Sequence, residues 1–350
     1  ALLVDGLAAE REQGITIDVA YRYFTTDRRK FIVADTPGHE QYTRNMATGA
    51  STAALAIIMI DARKGVLAQT RRHAFIAALL GIKHVVLAVN KMDLVEYAED
   101  VFDAITSDFM ALNDELGFAG IKPIPISALK GDNVLAASAN TPWYDGPSLL
   151  AHLEEVDVSA GDDGPLRLPV QYVIRPHQDF RGYAGRIAGG GVAPGDDVKI
   201  LPSGQEARVE HVYVGEAEQK RAIAGQSVTV TLQGEFDISR GDMIVEARKP
   251  AEIADQLRAT IIWMDQSEML PGRAYILTAE GWRATARLAK PRYRINVNNY
   301  EQLPADTLSL NDIASCNISL DRAIVFDPYE TNRTTGSFIL IDPETNATAG

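Results

Sequence analysis

The hydrophobic rhythm of the chain changes once, near residue 160. Before that point, short continuous apolar runs alternate with stretches of helical spacing. Residues 17–25 and 29–34 predict a hairpin of strands. Residues 54–60 and 84–89 are unbroken apolar runs, which predict strands buried on both faces. Residues 69–80 carry helical spacing and stop at Gly81; residues 102–116 do the same and stop at Gly117. A short strand over 123–126 and a helix over 149–155 complete the region. Apolar strands alternating with helices predict a mostly parallel sheet covered on both sides.

After it, the long helical periods fade. Ser159-Ala160-Gly161-Asp162-Asp163-Gly164-Pro165 is polar and acidic, and reads as a linker. Short β-rich runs follow, punctuated by Pro194-Gly195-Asp196, Pro202-Ser203-Gly204 and Arg240-Gly241-Asp242. Turn signals at such spacing predict a small barrel. A second break is expected near Lys249-Pro250, with residues 251–256 as a connector. Beyond it, residues 259–263, 293–297, 315–320 and 337–341 read as strands. The expected plan is an α/β domain over 1–158, a first β-barrel over 165–250 and a second over 253–350. The two barrel regions share no convincing sequence repeat.

Composition narrows the function classes. The longest apolar run, residues 53–60, is far too short to span a bilayer, so no membrane partner is expected. One cysteine, Cys316, excludes an internal disulfide and fits a reducing, cytoplasmic setting. Its strand-like neighbours suggest a small core residue. A net charge of -13 argues against broad nucleic-acid binding, which needs a basic surface. The chain starts at Ala1 without a signal-peptide pattern and ends in a polar stretch, and is expected to be a fragment of something longer.

Three short runs carry chemistry, and each follows a predicted strand. Asp35-Thr36-Pro37-Gly38 follows Phe31-Ile32-Val33-Ala34. Ligands of open α/β sheets sit beyond the carboxyl ends of the strands. A carboxylate there can hold a metal-bound water, and a glycine N–H can approach a terminal phosphate closely. Asn90-Lys91-Met92-Asp93 follows the strand over 84–89. The Asp93 carboxylate can accept from N1–H and the exocyclic amine of guanine, a donor pair that adenine lacks. The stem of Lys91 can lie over the base plane. Ser127-Ala128-Leu129 comes third, and its backbone can complete the base pocket. Asp-x-x-Gly alone most often marks a turn, and Asn90–Asp93 alone can be a polar loop. Their order and strand context together point to a guanine nucleotide.

Two further residues have two readings each. Thr16 is an ordinary strand residue, or it is the switch threonine that ligates Mg²⁺ beside a γ-phosphate. Its place just before the hairpin favours the switch. His39 follows Gly38 directly. A lone histidine usually has a bland role, but here it can orient an attacking water, which makes it the candidate catalytic residue. The loop Gly-x-x-x-x-Gly-Lys-[Ser/Thr] is absent, and the chain holds no Gly-Lys pair at all. The first strand and phosphate loop are expected upstream of Ala1. GTP binding by residues 1–350 alone is therefore expected to be weak and the isolated fragment inactive.

The switch stretch over 10–18, the run Asp35–His39, Asn90–Asp93 and Ser127–Leu129 resemble the translation-factor class of GTPases. So does the plan of an α/β P-loop GTPase-type domain followed by two barrels. Within that class, the run Asp35–Ser51 resembles the large, GTPase subunits of bacterial sulfate adenylyltransferases. The stretches over 12–21, 179–185, 237–242 and 331–336 strengthen that likeness, which runs nearly end to end. The resemblance implies GTP or GDP and Mg²⁺ as cofactors. Thr16 and, through water, Asp35 would serve the metal. Asp35, Thr36, Pro37, Gly38, His39, Asn90, Lys91, Met92, Asp93, Ser127, Ala128 and Leu129 would line the nucleotide. It also implies a separate small catalytic subunit, in a heterodimer or larger assembly, that makes adenosine 5′-phosphosulfate and pyrophosphate from ATP and sulfate. GTP hydrolysis would drive that uphill synthesis in sulfate assimilation. The alternative is an elongation factor delivering aminoacyl-tRNA. Thr36, Glu40-Gln41 and Phe180-Arg181-Gly182 argue against it.

Overall fold

A computed structural model describes residues 18–38, 42–158, 164–177 and 180–350. The chain forms two compact units, Ala1–Val158 with Asn296–Glu301, and Ser159–Ile295 with Gln302–Gly350.

In the first unit, β3 (Leu55–Asp61), β4 (His84–Asn90) and β5 (Gly120–Pro125) form a parallel sheet in that order. β4 is central and buried on both faces. Val85, Leu87 and Val89 join one apolar cluster with Ala74, Ala77, Phe102 and Phe109. Val86 and Ala88 join another with Ile124, Ile126 and Leu149. A strand with period-two side chains needs two covers when every residue is apolar. Helices α2 (Ala68–Leu79) and α3 (Glu99–Met110) cover one face, and α4 (Leu149–Glu155) packs on the other. Pro123 and Pro125 sit on β5, which pairs only with β4 among the described residues, so their missing N–H groups leave no central ladder broken.

β1 (Ala20–Thr25) and β2 (Lys30–Asp35) form the predicted hairpin as a separate two-stranded sheet, in register from Ala20 opposite Asp35 to Thr25 opposite Lys30. Its turn is tied down by Arg29, whose Nη1 donates to the carbonyls of Leu153 (2.9 Å) and Val156 (2.8 Å). These are carbonyls at the end of α4, where no helical donor remains.

Three elements differ from the sequence expectation. Helix α1 (Thr43–Ser51) was not among the expected elements; it packs through one face made of Thr43, Met46, Ala47, Gly49 and Ala50, in which only Met46 is a large apolar residue. The helix expected over 102–116 breaks after Met110 and resumes as the turn Asn113–Leu116. There the Asn113 side chain accepts from Phe118 N (2.8 Å) and donates to Phe118 O (3.2 Å), which competes with a continuous helix. Residues 252–256, expected as connector, begin the long strand Glu252–Ile262, which pairs with Ile313–Phe326.

The second unit holds two curled antiparallel sheets. The first runs in the order Arg167–Pro169, Met243–Glu246, Asp197–Leu201, Gln205–Val214, Ser227–Leu232, Gly182–Arg186, Tyr172–Ile174. The chain passes from the first of these strands to the last within a few residues, so the path returns on itself. Its core includes Leu168, Tyr183, Ile200, Val212 and Val230. The other encloses Trp263, Tyr275, Leu277, Leu308 and Cys316. Cys316 is a core residue, and burial pushes its thiol up to about 11. The two barrels are joined by a buried ion pair. Arg167 Nε and Nη2 donate to the Asp327 carboxylate at 2.8–3.0 Å, and Thr335 Oγ1 donates to it at 2.6 Å.

Candidate functional site

The carboxyl ends of β3, β4 and β5 place Asp61, Asn90 and Ser127 side by side, because the parallel register sets Asp61 opposite Asn90 and Val89 opposite Pro125. The chain then turns sharply. Lys91 adopts a left-handed conformation (φ 66°) and Met92, wholly buried, anchors a short 3₁₀ turn over Met92–Val95. That anchor carries Asp93 to the neighbouring loop, where Ser127 Oγ donates to Asp93 Oδ1 at 2.7 Å. Asn90 closes the junction from the other side. Its Oδ1 accepts from Lys91 N (2.8 Å) and Ala128 N (2.9 Å). Asn90, Lys91, Asp93, Ser127 and Ala128 thus form one hydrogen-bonded group. Ser127 is wholly buried, whereas Leu129 is 88% exposed at the mouth of the group.

Lys91 is held away from its own backbone by Asp61, with Nζ 2.9 Å from Oδ2. Arg63 bonds to the same carboxylate, both Nε and Nη2 donating. Arg63 first, and Lys91 after it, hold the Asp61 carboxyl far below the usual range. Sequence reasoning missed Asp61. Its signal was available, since it ends an apolar run as Asp35 and Asn90 do.

Asp35, Thr36, Pro37 and Gly38 lie at the end of β2, on the other sheet. Asp35 is exposed and Pro37 buried. Thr36 meets α1 at Gly49, where a Cβ would fall 2.4 Å from Thr36 Cγ2. This approach explains a glycine within a helix. The Gly38 carbonyl accepts from Gln69 Nε2 and lies 3.0 Å from His73 Nε2, both on α2. Burial lowers the pKa of His73. Thr16 and His39 lie outside the described residues. No group of three or more His, Cys, Asp or Glu side chains forms a metal centre among the described residues. Mg²⁺ beside phosphates needs only one or two protein ligands, and Asp35, an exposed carboxylate at a strand end, fits such a role.

Comparison with known proteins settles the lineage. Residues 1–160 match the Elongation factor Tu GTP binding domain, and residues 256–350 match the GTP-eEF1A C-terminal domain-like family. Across all of this chain, sulfate adenylyltransferase subunit 1 of Aeromonas salmonicida is 53% identical, with 74% of its own length covered. The chain belongs to the sulfate adenylyltransferase subunit 1 family. The bifunctional enzyme NodQ of Rhizobium meliloti is 54% identical over the whole chain, which covers 55% of that protein. The chain spans about half the length of the NodQ relatives it matches. Sup35 complexed with GMPPNP shares the fold, with a TM-score of 0.51 at 24% identity over 94% of this chain and 82% of the other. The α/β GTPase-type domain and the two barrels therefore belong to the translation-factor architecture. No helix among the described residues is long and apolar enough to cross a membrane.

Proposed function

We propose that this chain is the GTP-hydrolysing part of a sulfate adenylyltransferase large subunit. GTP turnover here would drive adenosine 5′-phosphosulfate synthesis from ATP and sulfate on a separate small subunit. The observation that carries this reading is the joined group Asn90–Asp93 with Ser127–Ala128, in a chain of this family. Asp93 offers a carboxylate to the guanine edge, braced by Ser127; the Ala128 backbone and the Lys91 stem complete the cleft. Leu129 is exposed at its mouth, while Met92 serves from beneath as the buried anchor.

Asp35, Thr36, Pro37 and Gly38 serve the phosphate end. The Gly38 N–H is the donor to a γ-phosphate and His39 positions the water. Mg²⁺, when bound, neutralises phosphate charge, and Thr16 and Asp35 would hold it, Asp35 through water. Coupling follows if the small subunit binds the GTP and GDP states with different affinity. No nucleic acid is needed, and a cytoplasmic setting suits every reactant.

The test is to assay the complete protein with an adenylyltransferase small subunit. Adenosine 5′-phosphosulfate should form in proportion to GTP hydrolysed. Retention of aminoacyl-tRNA instead would support the elongation-factor alternative and sink this reading. His39→Ala should slow hydrolysis while leaving GTP affinity within a few fold; an unchanged rate removes the water-positioning role.

A further inference from the structure

Two residues outside the motifs tie the base-reading turn to its neighbouring loop. Just past Met92–Val95, Glu96 (φ 53°) and Tyr97 (φ 55°) both occupy the left-handed region. Consecutive non-glycine residues there are strained, and persist only where surrounding contacts over-determine them. Tyr97 has such contacts on three sides. Its N–H donates to Met92 O (2.8 Å), and its carbonyl accepts from Trp143 Nε1 (3.0 Å). Its phenol donates to Asp132 Oδ2 at 2.6 Å. That length is typical of a hydroxyl donating to a charged oxygen.

Asp132 belongs to the loop that carries Ser127 and Ala128. Its other oxygen, Oδ1, accepts from Ser138 Oγ (2.7 Å) and Asn140 Nδ2 (3.1 Å). Ser127 and Asp132 form a β-bridge, with Ser127 N donating to Asp132 O at 3.2 Å and Gly131 N to Ser127 O at 2.7 Å. The turn over 92–97 and the loop over 127–132 therefore meet twice. One meeting is Ser127 on Asp93; the other is Tyr97 on Asp132. The Asp132 carboxylate pushes the Tyr97 phenol up to about 12, and the Tyr97 hydroxyl in turn lowers the Asp132 pKa. The bond keeps its donor and its acceptor across any ordinary assay pH.

We propose that Tyr97 and Asp132 are positioning residues for guanine selectivity: their bond clamps the loop that braces Asp93, and so sets where the carboxylate meets the base. The inference rests on the guanine-pocket reading above. A clamp that only stabilised the fold would affect all nucleotides alike. A clamp that aims Asp93 must affect most the base that uses both of its donors.

The discriminating measurement is the affinity of the complete protein for GDP against IDP. The inosine base lacks the exocyclic amine, so the ratio isolates the Asp93 contact, while the phosphates cancel. Tyr97→Phe preserves ring and volume and removes only the hydroxyl. It should reduce the GDP-over-IDP preference about tenfold, equivalent to about 1.4 kcal/mol. Asp132→Ala, which also removes the acceptor of Ser138 and Asn140, should lose at least as much, and the double variant should fall no further than Asp132→Ala alone, as expected when Tyr97 acts through Asp132. A preference within twofold of the parent in folded Tyr97→Phe protein overturns the proposal, as does simple addition of the two losses. Asp93→Asn, run alongside, separates the two levels. If it moves preference to xanthosine nucleotides while Tyr97→Phe leaves the ratio alone, the clamp is wrong and the pocket stands. If Asp93→Asn moves nothing, the pocket reading itself fails.

Discussion

The two halves of the proposed nucleotide site are built differently. The base half grows from the ends of β4 and β5, where β4 is buried on both faces, and its residues are joined to one another by side-chain hydrogen bonds. The phosphate half, Asp35–Gly38, ends a two-stranded hairpin with Ile32 and Tyr23 exposed, and is steadied from outside by Gly49, Gln69 and His73. A base pocket has one shape to recognise, so rigidity serves it. A segment that must respond to a γ-phosphate has two arrangements, and contacts supplied by a neighbouring helix can be exchanged between them.

The sharpest break between the halves should come from Asp93→Asn. Loss of two hydrogen bonds to a charged acceptor costs about 3 kcal/mol, or about 100-fold in guanine affinity, with xanthosine nucleotides gaining. Competition binding of GDP and XDP checks this, and unchanged guanine preference would contradict the role given to Asp93. Gly49→Ala tests the phosphate half alone. A mid-helix alanine normally adds about 1 kcal/mol, but here its Cβ would meet Thr36 Cγ2 at 2.4 Å. The expected balance is a net loss of about 1–2 kcal/mol in thermal unfolding, with slower GTP hydrolysis and an unaltered GDP-to-IDP ratio. A stabilised variant with normal turnover would mean that α1 does not brace Thr36.

Ser127→Ala removes the donor to Asp93 and the acceptor of Lys130 N. Guanine affinity should drop by about 1 kcal/mol, roughly fivefold, with hydrolysis of bound GTP unchanged. The smallest effect concerns pH. Burial lowers the His73 pKa, so between that value and 6.5 the unfolded chain binds more protons than the folded one. Stability from this group is present above 6.5 and is lost as the pH falls below it. The base half should not follow, because Asp61 stays ionised and Tyr97 protonated over that range. With the intrinsic pH dependence of exchange divided out, protection factors near Gly38 should therefore fall between pH 7.5 and 5.5 while residues 90–97 keep theirs. An equal loss of protection in both places would erase the distinction.

By itself the sequence determined the family and most of the architecture. The unbroken apolar run at 84–89 has few places to go except the middle of a sheet, and the motif at its end follows from that placement; the run at 54–60 forms the neighbouring strand, but the double cover expected of it is not met, since Ile57 and Met59 are exposed. The helix Leu149–Glu155 is where its spacing put it, and Asn90–Asp93 with Ser127–Leu129 could be named from residue type and order alone. Tertiary structure decided the rest. Helix α1 does carry a periodic face, Thr43, Met46, Ala47 and Ala50, but apart from Met46 its residues are small or polar, and the close approach at Gly49 exists only in the fold. The strand starting at Glu252 read as connector because its early residues face solvent, and only pairing with Ile313–Phe326 defines it. Asp61, Tyr97 and Asp132 are ordinary residues in the linear chain. Their meaning comes from partners 30 and 35 positions away, brought within 3 Å by parallel register and by two strained left-handed residues. Local pattern encodes which residue types stand at the strand ends; only the folded chain encodes which side chains hold them together.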